Sequence, residues 1–116
     1  MGTASLTSLW PENTLTMYKL TPAATADLID IQRYTLEQWG KAQSVKYLES
    51  LHKTVQLLAE NPLVGKTRPD VKKAAYSFAH HEHVVYYAVK PGGIVVFAVL
   101  NQTMLPKPHL AGRKTD

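Results

Sequence analysis

The chain has 116 residues, a formal net charge of +4 and a hydrophobic fraction of 45%, which suits one domain with a modest buried core. It contains no cysteine, so disulfides, cysteine-ligated zinc and thiol catalysis are excluded. No apolar run reaches the ~18 residues of a membrane span, and the start lacks the pattern of a secretory signal. We therefore expect a soluble, cytoplasmic protein without membrane association. Its moderate basic charge is compatible with an acidic partner and equally with simple solubility.

Residues 1–16, MGTASLTSLWPENTLT, are poor in charge and show neither a helical nor a strand period. We interpret them as a leader, an upstream alternative start or a cloning remnant that lies outside the core. The segment from Leu15 to Thr21 alternates in the manner of a short strand. The folded domain is therefore expected to begin near Met17.

Two amphipathic helices are predicted next. The first runs from Pro22 to about Trp39, with Thr21 as its N-cap and proline at its first position. After Gly40, residues 41–60 again place apolar side chains at three- and four-residue steps. Because the break between them is so short, the helices are expected to form an antiparallel hairpin, with Trp39 as a core anchor beneath it.

The apolar period changes to two after a proline-rich loop at residues 61–70. Segments 74–78, 83–90 and 94–100 are expected to form a three-stranded antiparallel meander with a tight turn at 91–93. The last two strands are apolar on both faces, whereas the helix hairpin can cover only one of them. The tail, the leader or a partner chain must therefore cover part of the second face. The predicted fold class is α+β: an N-terminal strand, a helix hairpin and an antiparallel meander.

The stretch AHHEHVVYY, residues 79–87, places His80, His81, Glu82 and His83 directly before an apolar run. A metal site would require these side chains to converge, although neighbouring strand residues point to opposite faces. A nuclease that uses histidine as a general acid or base stays open, although no partner set is evident. We interpret the stretch as a solvated, polar hairpin turn, and we predict no metal ion and no other cofactor.

A small basic cluster and a tyrosine complete the candidates. Arg68, Lys72 and Lys73 could contact phosphate or a carboxylate-rich partner, but lysines also discourage pairing at strand edges. Tyr76 could stack on a base, although its strand position favours core or interface packing. None of these residues identifies a reaction.

Three sequence pieces carry a resemblance to a known family. They are LTPAATADLIDIQRYTLEQWG at 20–40, LAENPLVG at 58–65 and VLNQTM at 99–104. Together with the predicted element order, they make residues 17–110 resemble the ParE branch of the RelE/ParE toxin superfamily, with 111–116 as a C-terminal tail. The same fold class is implied.

The resemblance implies a type II toxin that traps DNA gyrase on cleaved DNA and performs no covalent chemistry itself. It also implies a ParD-like antitoxin whose C-terminal segment wraps over the helices and sheet, in a higher-order complex. No sequence-specific binding of nucleic acid by the toxin is expected. The candidate antitoxin- or target-binding residues are Arg68, Lys72, Lys73, Tyr76, His80, His81, His83, Asn101 and Met104.

The chain also departs from the family pattern. Asn101 and Thr103 replace a histidine and an arginine that are common after the last strand, while Met104 is retained. A usual glycine near the second strand is represented by Ala74 or Ala75, and a usual arginine by Ser77. Two alternatives therefore stay open. One is a RelE-like mRNA endonuclease, which uses concentrated lysines and arginines with a tyrosine or histidine. The other is an inactive toxin that only binds its antitoxin.

Overall fold

A computed structural model describes residue 10 and residues 17–115 as an α+β fold. The predicted N-terminal strand, helix hairpin and antiparallel meander are confirmed, and both helices have the predicted ends. A two-residue strand and a short C-terminal helix were not predicted, because neither is long enough to show a period. The elements are β1 Tyr18–Leu20, α1 Pro22–Trp39, α2 Lys41–Glu60, a 3-10 turn Pro62–Val64, β2 Lys66–Thr67, β3 Ala75–His80, β4 His83–Lys90, β5 Gly93–Asn101 and α3 Pro106–Leu110.

The strands form one five-stranded sheet in the order β1-β5-β4-β3-β2. Strand β1 pairs with β5 in parallel, and the other neighbours are antiparallel. A bulge lies where Tyr86 pairs with Ala98 and Tyr87 with Val96, which leaves Phe97 as the extra residue in β5. The bulge places both Phe97 and Ala98 in the cluster on the face away from the helices.

The helix hairpin forms for the reasons that its sequence indicates. The Thr21 hydroxyl accepts a hydrogen bond from the Ala24 N–H at 3.1 Å, which caps α1. Gly40, at φ +87°, ends α1 and starts α2 in a conformation that favours glycine. Near this turn the Thr35 hydroxyl lies 2.7 Å from that of Ser44 and ties the helices together.

The main core lies between the hairpin and the helix-facing side of the sheet. Its fully buried residues include Leu28 from α1, Leu51 from α2 and Val96 from β5. Trp39, in contrast, is 40% exposed and makes edge contacts with Tyr34 and Tyr47. The prediction that Trp39 anchors the core is therefore wrong, because its place at the end of α1 puts it beyond the sheet-facing stripe.

The loop after α2 is fastened by a buried tyrosine. The Tyr87 hydroxyl donates to the Pro62 carbonyl at 2.8 Å and accepts from the Gly65 N–H at 3.1 Å. A Cβ atom at Gly65 would clash with this hydroxyl and would lie 2.9 Å from the Ser77 carbonyl oxygen. Glycine at position 65 therefore follows from the close approach of the loop to Tyr87.

The second face of the sheet is covered in part by the chain's own tail. Leu110, from α3, is 1% exposed and packs in a cluster with Tyr86, Phe97 and Leu100. Val71, from the β2–β3 loop, packs against the same cluster. The sequence left three candidates for covering this face: the tail, the leader and a partner chain. These contacts identify the tail.

A partly buried ion pair holds the tail in place. The Arg113 guanidinium donates to the Asp27 carboxylate at 2.7 and 3.1 Å and to the Phe97 carbonyl at 3.0 Å. The Val99 N–H donates to the same carboxylate at 2.9 Å. Asp27 lies beyond the first turn of α1 and connects that helix, β5 and the tail.

One residue of the proposed leader belongs to the core. Trp10 is 4% exposed, and its ring stacks on His52 with centroids 4.7 Å apart. The expectation that residues 1–16 lie outside the core is therefore wrong for Trp10. The rest of that segment lies outside the described residues, so the division of the chain at residue 16 stays a prediction.

Within the described part of the chain, no helix combines the length and apolar character that a membrane crossing requires.

Candidate functional site

The histidine-rich stretch is a β-hairpin turn, as predicted. His80 ends β3 and pairs with His83 at the start of β4, and His81 occupies the turn at φ +52°. The expectation of a solvated turn is wrong for two of the three histidines. His83 is only 4% exposed, and His80 is half-buried. Side chains of α2 cover these two histidines. Nothing in the sequence pattern indicated that α2 packs against this turn.

Three polar residues of α2 bind this turn. The Tyr47 hydroxyl lies 2.6 Å from His83 Nδ1. The Ser50 and Thr54 hydroxyls lie 2.8 Å from Nε2 and Nδ1 of His80. Because these contacts use both ring nitrogens of His80, the turn is docked onto the helix by its side chains.

The protonation states agree with a structural role for this group. Burial lowers the pKa of His80, with a smaller contribution from the nearby histidines, and burial also lowers the pKa of His83. Burial, followed by the charge of Glu82, raises the pKa of Tyr47 to about 12. At neutral pH the phenol is therefore protonated, and both imidazoles are held towards the neutral form.

No metal site emerges from these residues. Within residue 10 and residues 17–115, no three histidine, cysteine, aspartate or glutamate side chains are grouped so that they could hold a metal ion.

A cleft of about 330 Å³ opens beside His83, between α1 and the end of β5. Its lining includes Asp30 and Tyr34 from α1, together with Asn101 and Met104. Among the described residues that form its walls there is no lysine or arginine. The cleft therefore lacks the cationic side chains that stabilise a reacting phosphate.

The two departures at the end of the last strand, Asn101 and Thr103, are hydrogen-bonded to each other. The Asn101 carboxamide oxygen accepts hydrogen bonds from the Thr103 N–H at 2.9 Å and from its hydroxyl at 2.8 Å. Such side-chain bonds to a residue two positions ahead stabilise a turn. Asn101 and Thr103 thus shape the rim of the cleft, and Met104 follows them with 43% of its surface exposed.

The basic cluster lies elsewhere on the molecule. Arg68 continues from β2 and is opposite Ala75, the first residue of β3, whereas His80 is the last. Five strand residues span about 17 Å. Because alternate residues face opposite sides, Arg68 contacts Ser77 and Tyr86 on the second face while His80 faces the helices.

The remaining basic residues and Tyr76 are likewise separated. Lys72 and Lys73 lie in the β2–β3 loop beside Arg68. Tyr76 packs against the main core and stacks on Tyr87, with ring centroids 5.5 Å apart. The predicted site residues therefore form two groups, one around the histidine turn and cleft and one around Arg68, with Tyr76 in neither.

Sequence reasoning missed an aromatic row at the end of the helix hairpin. The ring of Trp39 makes edge contacts with Tyr34 and Tyr47, and Tyr47 contacts His81. Tyr34 is 48% exposed and also lines the cleft. The available signal was that Tyr34 falls off the buried stripe of α1, whereas Trp39 continues the spacing of that stripe and gave no such signal. This row joins the cleft to the histidine turn along an exposed surface.

Comparison with known proteins agrees with this architecture. Residues 18–106 match the family model described as "ParE toxin of type II toxin-antitoxin system, parDE". The "Toxin ParE1" of Caulobacter vibrioides is 33% identical over 93 residues, which cover 80% of this chain and 96% of that protein. The "Toxin ParE" of Escherichia coli is 32% identical over 100 residues, covering 85% and 97%.

A solved structure has the same fold. It is described as "Chromosomal ParDE TA system from P. aeruginosa", and it aligns with a TM-score of 0.62 at 19% identity, covering 77% of this chain and 98% of that one. The family match extends from β1 to the first residue of α3 and so includes the helix hairpin and the whole sheet. This chain therefore belongs to the ParE toxin family of type II toxin–antitoxin systems.

Proposed function

We propose that this chain is a toxin that acts in the cytoplasm by trapping DNA gyrase on cleaved DNA, and that a ParD-like antitoxin neutralises it. The observation that carries the proposal is the family match, which spans nearly every element of the fold. The toxin acts by binding and performs no covalent step.

The separation of the candidate groups favours binding over catalysis. An RNA endonuclease needs cations and a proton-transfer group at one phosphate. Here Arg68 and His80 lie at opposite ends of β3 and on opposite faces, and Tyr47 keeps its proton because burial raises its pKa to about 12. A RelE-like site built from the predicted residues is therefore disfavoured.

The aromatic row, Tyr34, Trp39 and Tyr47, supports the antitoxin as a partner. Exposed apolar residues also include Ile29, Leu36 and Val45, all on the helix hairpin. Exposed apolar surface of this kind marks protein interaction sites, and an antitoxin segment that folds on binding can cover it along its length.

The test of target is a cleavage assay with purified gyrase and supercoiled plasmid. We expect the chain to produce linear DNA that is covalently attached to gyrase and released by protease treatment. A parallel assay with translating ribosomes and messenger RNA should show no cleavage. Cleavage of messenger RNA without any effect on gyrase would overturn the proposal in favour of the endonuclease. No effect in either assay would overturn it in favour of an inactive toxin.

The test of the antitoxin uses a ParD-like protein as the binding partner. Replacing Tyr34 and Trp39 by serine should weaken its binding, measured by titration calorimetry, because both residues are large and exposed. Leu63→Ser is the matched control, since Leu63 is 71% exposed but outside the aromatic row. Equal affinities for both variants and the unchanged chain would refute this placement of the interface.

A further inference from the structure

Charge is distributed unevenly between the two sides of this protein. In the described part of the chain, the acidic residues of the helix hairpin are Asp27, Asp30, Glu37, Glu49 and Glu60. They are nearly balanced by Arg33, Lys41, Lys46 and Lys53 on the same helices. The excess positive charge of the fold must therefore lie on the sheet and tail.

Most of that excess is at the β2 edge of the second sheet face. We call this surface the basic face and define it as Lys66, Arg68, Lys72, Lys73 and Lys107. Lys66 lies opposite Ser77 in the ladder, and the Arg68 guanidinium sits 5.5 Å over the Tyr86 ring. Both are thus on the side of the sheet that carries the tail.

Two packing contacts bring the other lysines to the same side. Val71 and Leu110 pack against one cluster on the second face. Because Val71 packs there, the loop that contains Lys72 and Lys73 lies near α3, which contains Lys107. Consistent with this proximity, the pKa of Asp70 is lowered, first by its hydrogen bonds from Arg68 and also by the charge of Lys107.

Asp70 does not cancel the charge of the basic face. Its carboxylate accepts two hydrogen bonds from Arg68, at 2.9 and 3.1 Å, and so offsets that guanidinium. The lysines remain, and Lys66, Lys73 and Lys107 are all exposed. Exposed lysines on a fixed scaffold provide mobile point charges that suit a phosphate backbone.

We propose that the basic face binds the phosphate backbone of duplex DNA, so that the toxin touches the DNA of the gyrase complex as well as the enzyme. This inference rests on the proposed function, because gyrase supplies the DNA. It is compatible with the expectation of no sequence-specific binding, since backbone contacts carry no sequence information.

Side-chain chemistry favours duplex DNA over other acidic partners. Single-stranded nucleic acid is held by exposed aromatic rings, but Tyr86 is only 3% exposed and Tyr76 faces the helices. The hot spots of protein interfaces are enriched in tryptophan and tyrosine, and among the described residues the exposed tyrosine and tryptophan side chains lie on the helix hairpin. Lysines without exposed aromatic anchors match a duplex backbone best.

The test is fluorescence anisotropy with a labelled mixed-sequence duplex of about 20 base pairs, titrated with the full chain at several salt concentrations. The test variant is Lys66→Gln/Lys73→Gln. The matched control, Lys41→Gln/Lys46→Gln, removes the same charge from exposed positions on α2. Thermal melts establish that both variants fold.

We expect the test variant to lose about tenfold or more in affinity and the salt slope to fall by about 1–2, since each lost phosphate contact removes about 0.9. The control should retain the slope. Equal losses in both variants, or no binding by the unchanged chain at low salt, would overturn the inference. Unchanged DNA affinity with weaker binding to DNA-free gyrase would also overturn it and assign the basic face to an acidic protein surface.

The gyrase assay separates this inference from the proposed function. Gyrase poisoning that persists although the chain binds no DNA would overturn the DNA contact and leave the toxin assignment standing. Salt-dependent DNA binding that is lost in the test variant, without any gyrase poisoning, would support the contact and overturn the proposed target.

Discussion

Replacing Leu110 by alanine tests whether the tail stabilises the fold by covering the second sheet face. Leu110 is 1% exposed and packs with Tyr86, Phe97 and Leu100. The change removes three methylene-sized groups, or about 2.4 kcal/mol at ~0.8 kcal/mol each. The tail is at the surface and can relax into the space, so we expect the low end of the range for buried leucines, about 2–3 kcal/mol of unfolding free energy.

The assay is urea unfolding followed by circular dichroism, with a thermal melt as a second measurement. A loss of this size corresponds to about 7–14 °C in Tm for a chain of this length. Leu105→Ala is the matched control, because Leu105 is 71% exposed and should change stability by less than about 0.5 kcal/mol. If Leu110→Ala costs no more than Leu105→Ala, the tail does not hold the sheet and the reasoning fails.

A double-mutant cycle extends this test to the ion pair. Arg113 fastens the same tail to Asp27 at 2.7 Å. If the tail undocks as a unit, Arg113→Ala combined with Leu110→Ala should cost less than the sum of the single changes. Strict additivity would show that the two residues act separately.

Three further outcomes follow from the described contacts. Ala74→Gly should stabilise the chain by about 0.5–1 kcal/mol in urea unfolding, because Ala74 sits at φ +64° where a Cβ is strained; a loss of stability would contradict this. Tyr47→Phe should lower the free energy of unfolding by about 1–3 kcal/mol, because it leaves the buried His83 ring nitrogen without its hydrogen-bond partner. The control Tyr34→Phe, at an exposed position, should change it very little. Equal losses in the two variants would contradict the docking of the histidine turn on α2. Finally, the pKa values of His80 and His83 are lowered in the folded protein, so below about pH 6.5 the unfolded chain binds more protons than the folded one. The urea midpoint should therefore be constant above about pH 6.5 and fall as the pH is lowered below that value. A midpoint that is level or rises towards about pH 5 would contradict this sign.

The resemblance implies a glycine near this strand, and either Ala74 or Ala75 could be its counterpart by sequence alone. Only Ala74 has a positive φ, while Ala75 is buried within β3. The backbone therefore identifies Ala74 as the position where glycine is favoured.

Local sequence information was sufficient for the elements with a clear period or punctuation. The bounds of α1 and the start of α2 follow from Thr21, Pro22 and Gly40, whose effects act within one turn of the chain. The turn at His81 was likewise predicted from polar residues between two strands. Strand β2 was missed because two exposed residues show no alternation, and it exists only through pairing with β3.

The candidate site depended on contacts between residues far apart in sequence. Nothing local to His80 or His83 indicates that Ser50, Thr54 and Tyr47 bind them, because those partners lie on a helix 26 to 36 residues earlier. Trp39 was misplaced for the same reason, since a helical period shows which residues share a face but not where that face ends against the sheet.

The sequence by itself determined the order of the main elements and the α+β class, because caps, periods and turn residues act over a few positions, and its motifs carried the resemblance to the family. Only the tertiary structure decided that Leu110 covers the second sheet face and that the histidine turn is docked on α2. It also decided that the basic residues and the histidines lie on opposite faces of β3. The physical reason is that burial and ion pairing depend on which distant segments meet, and those meetings are set by the packing of the whole chain.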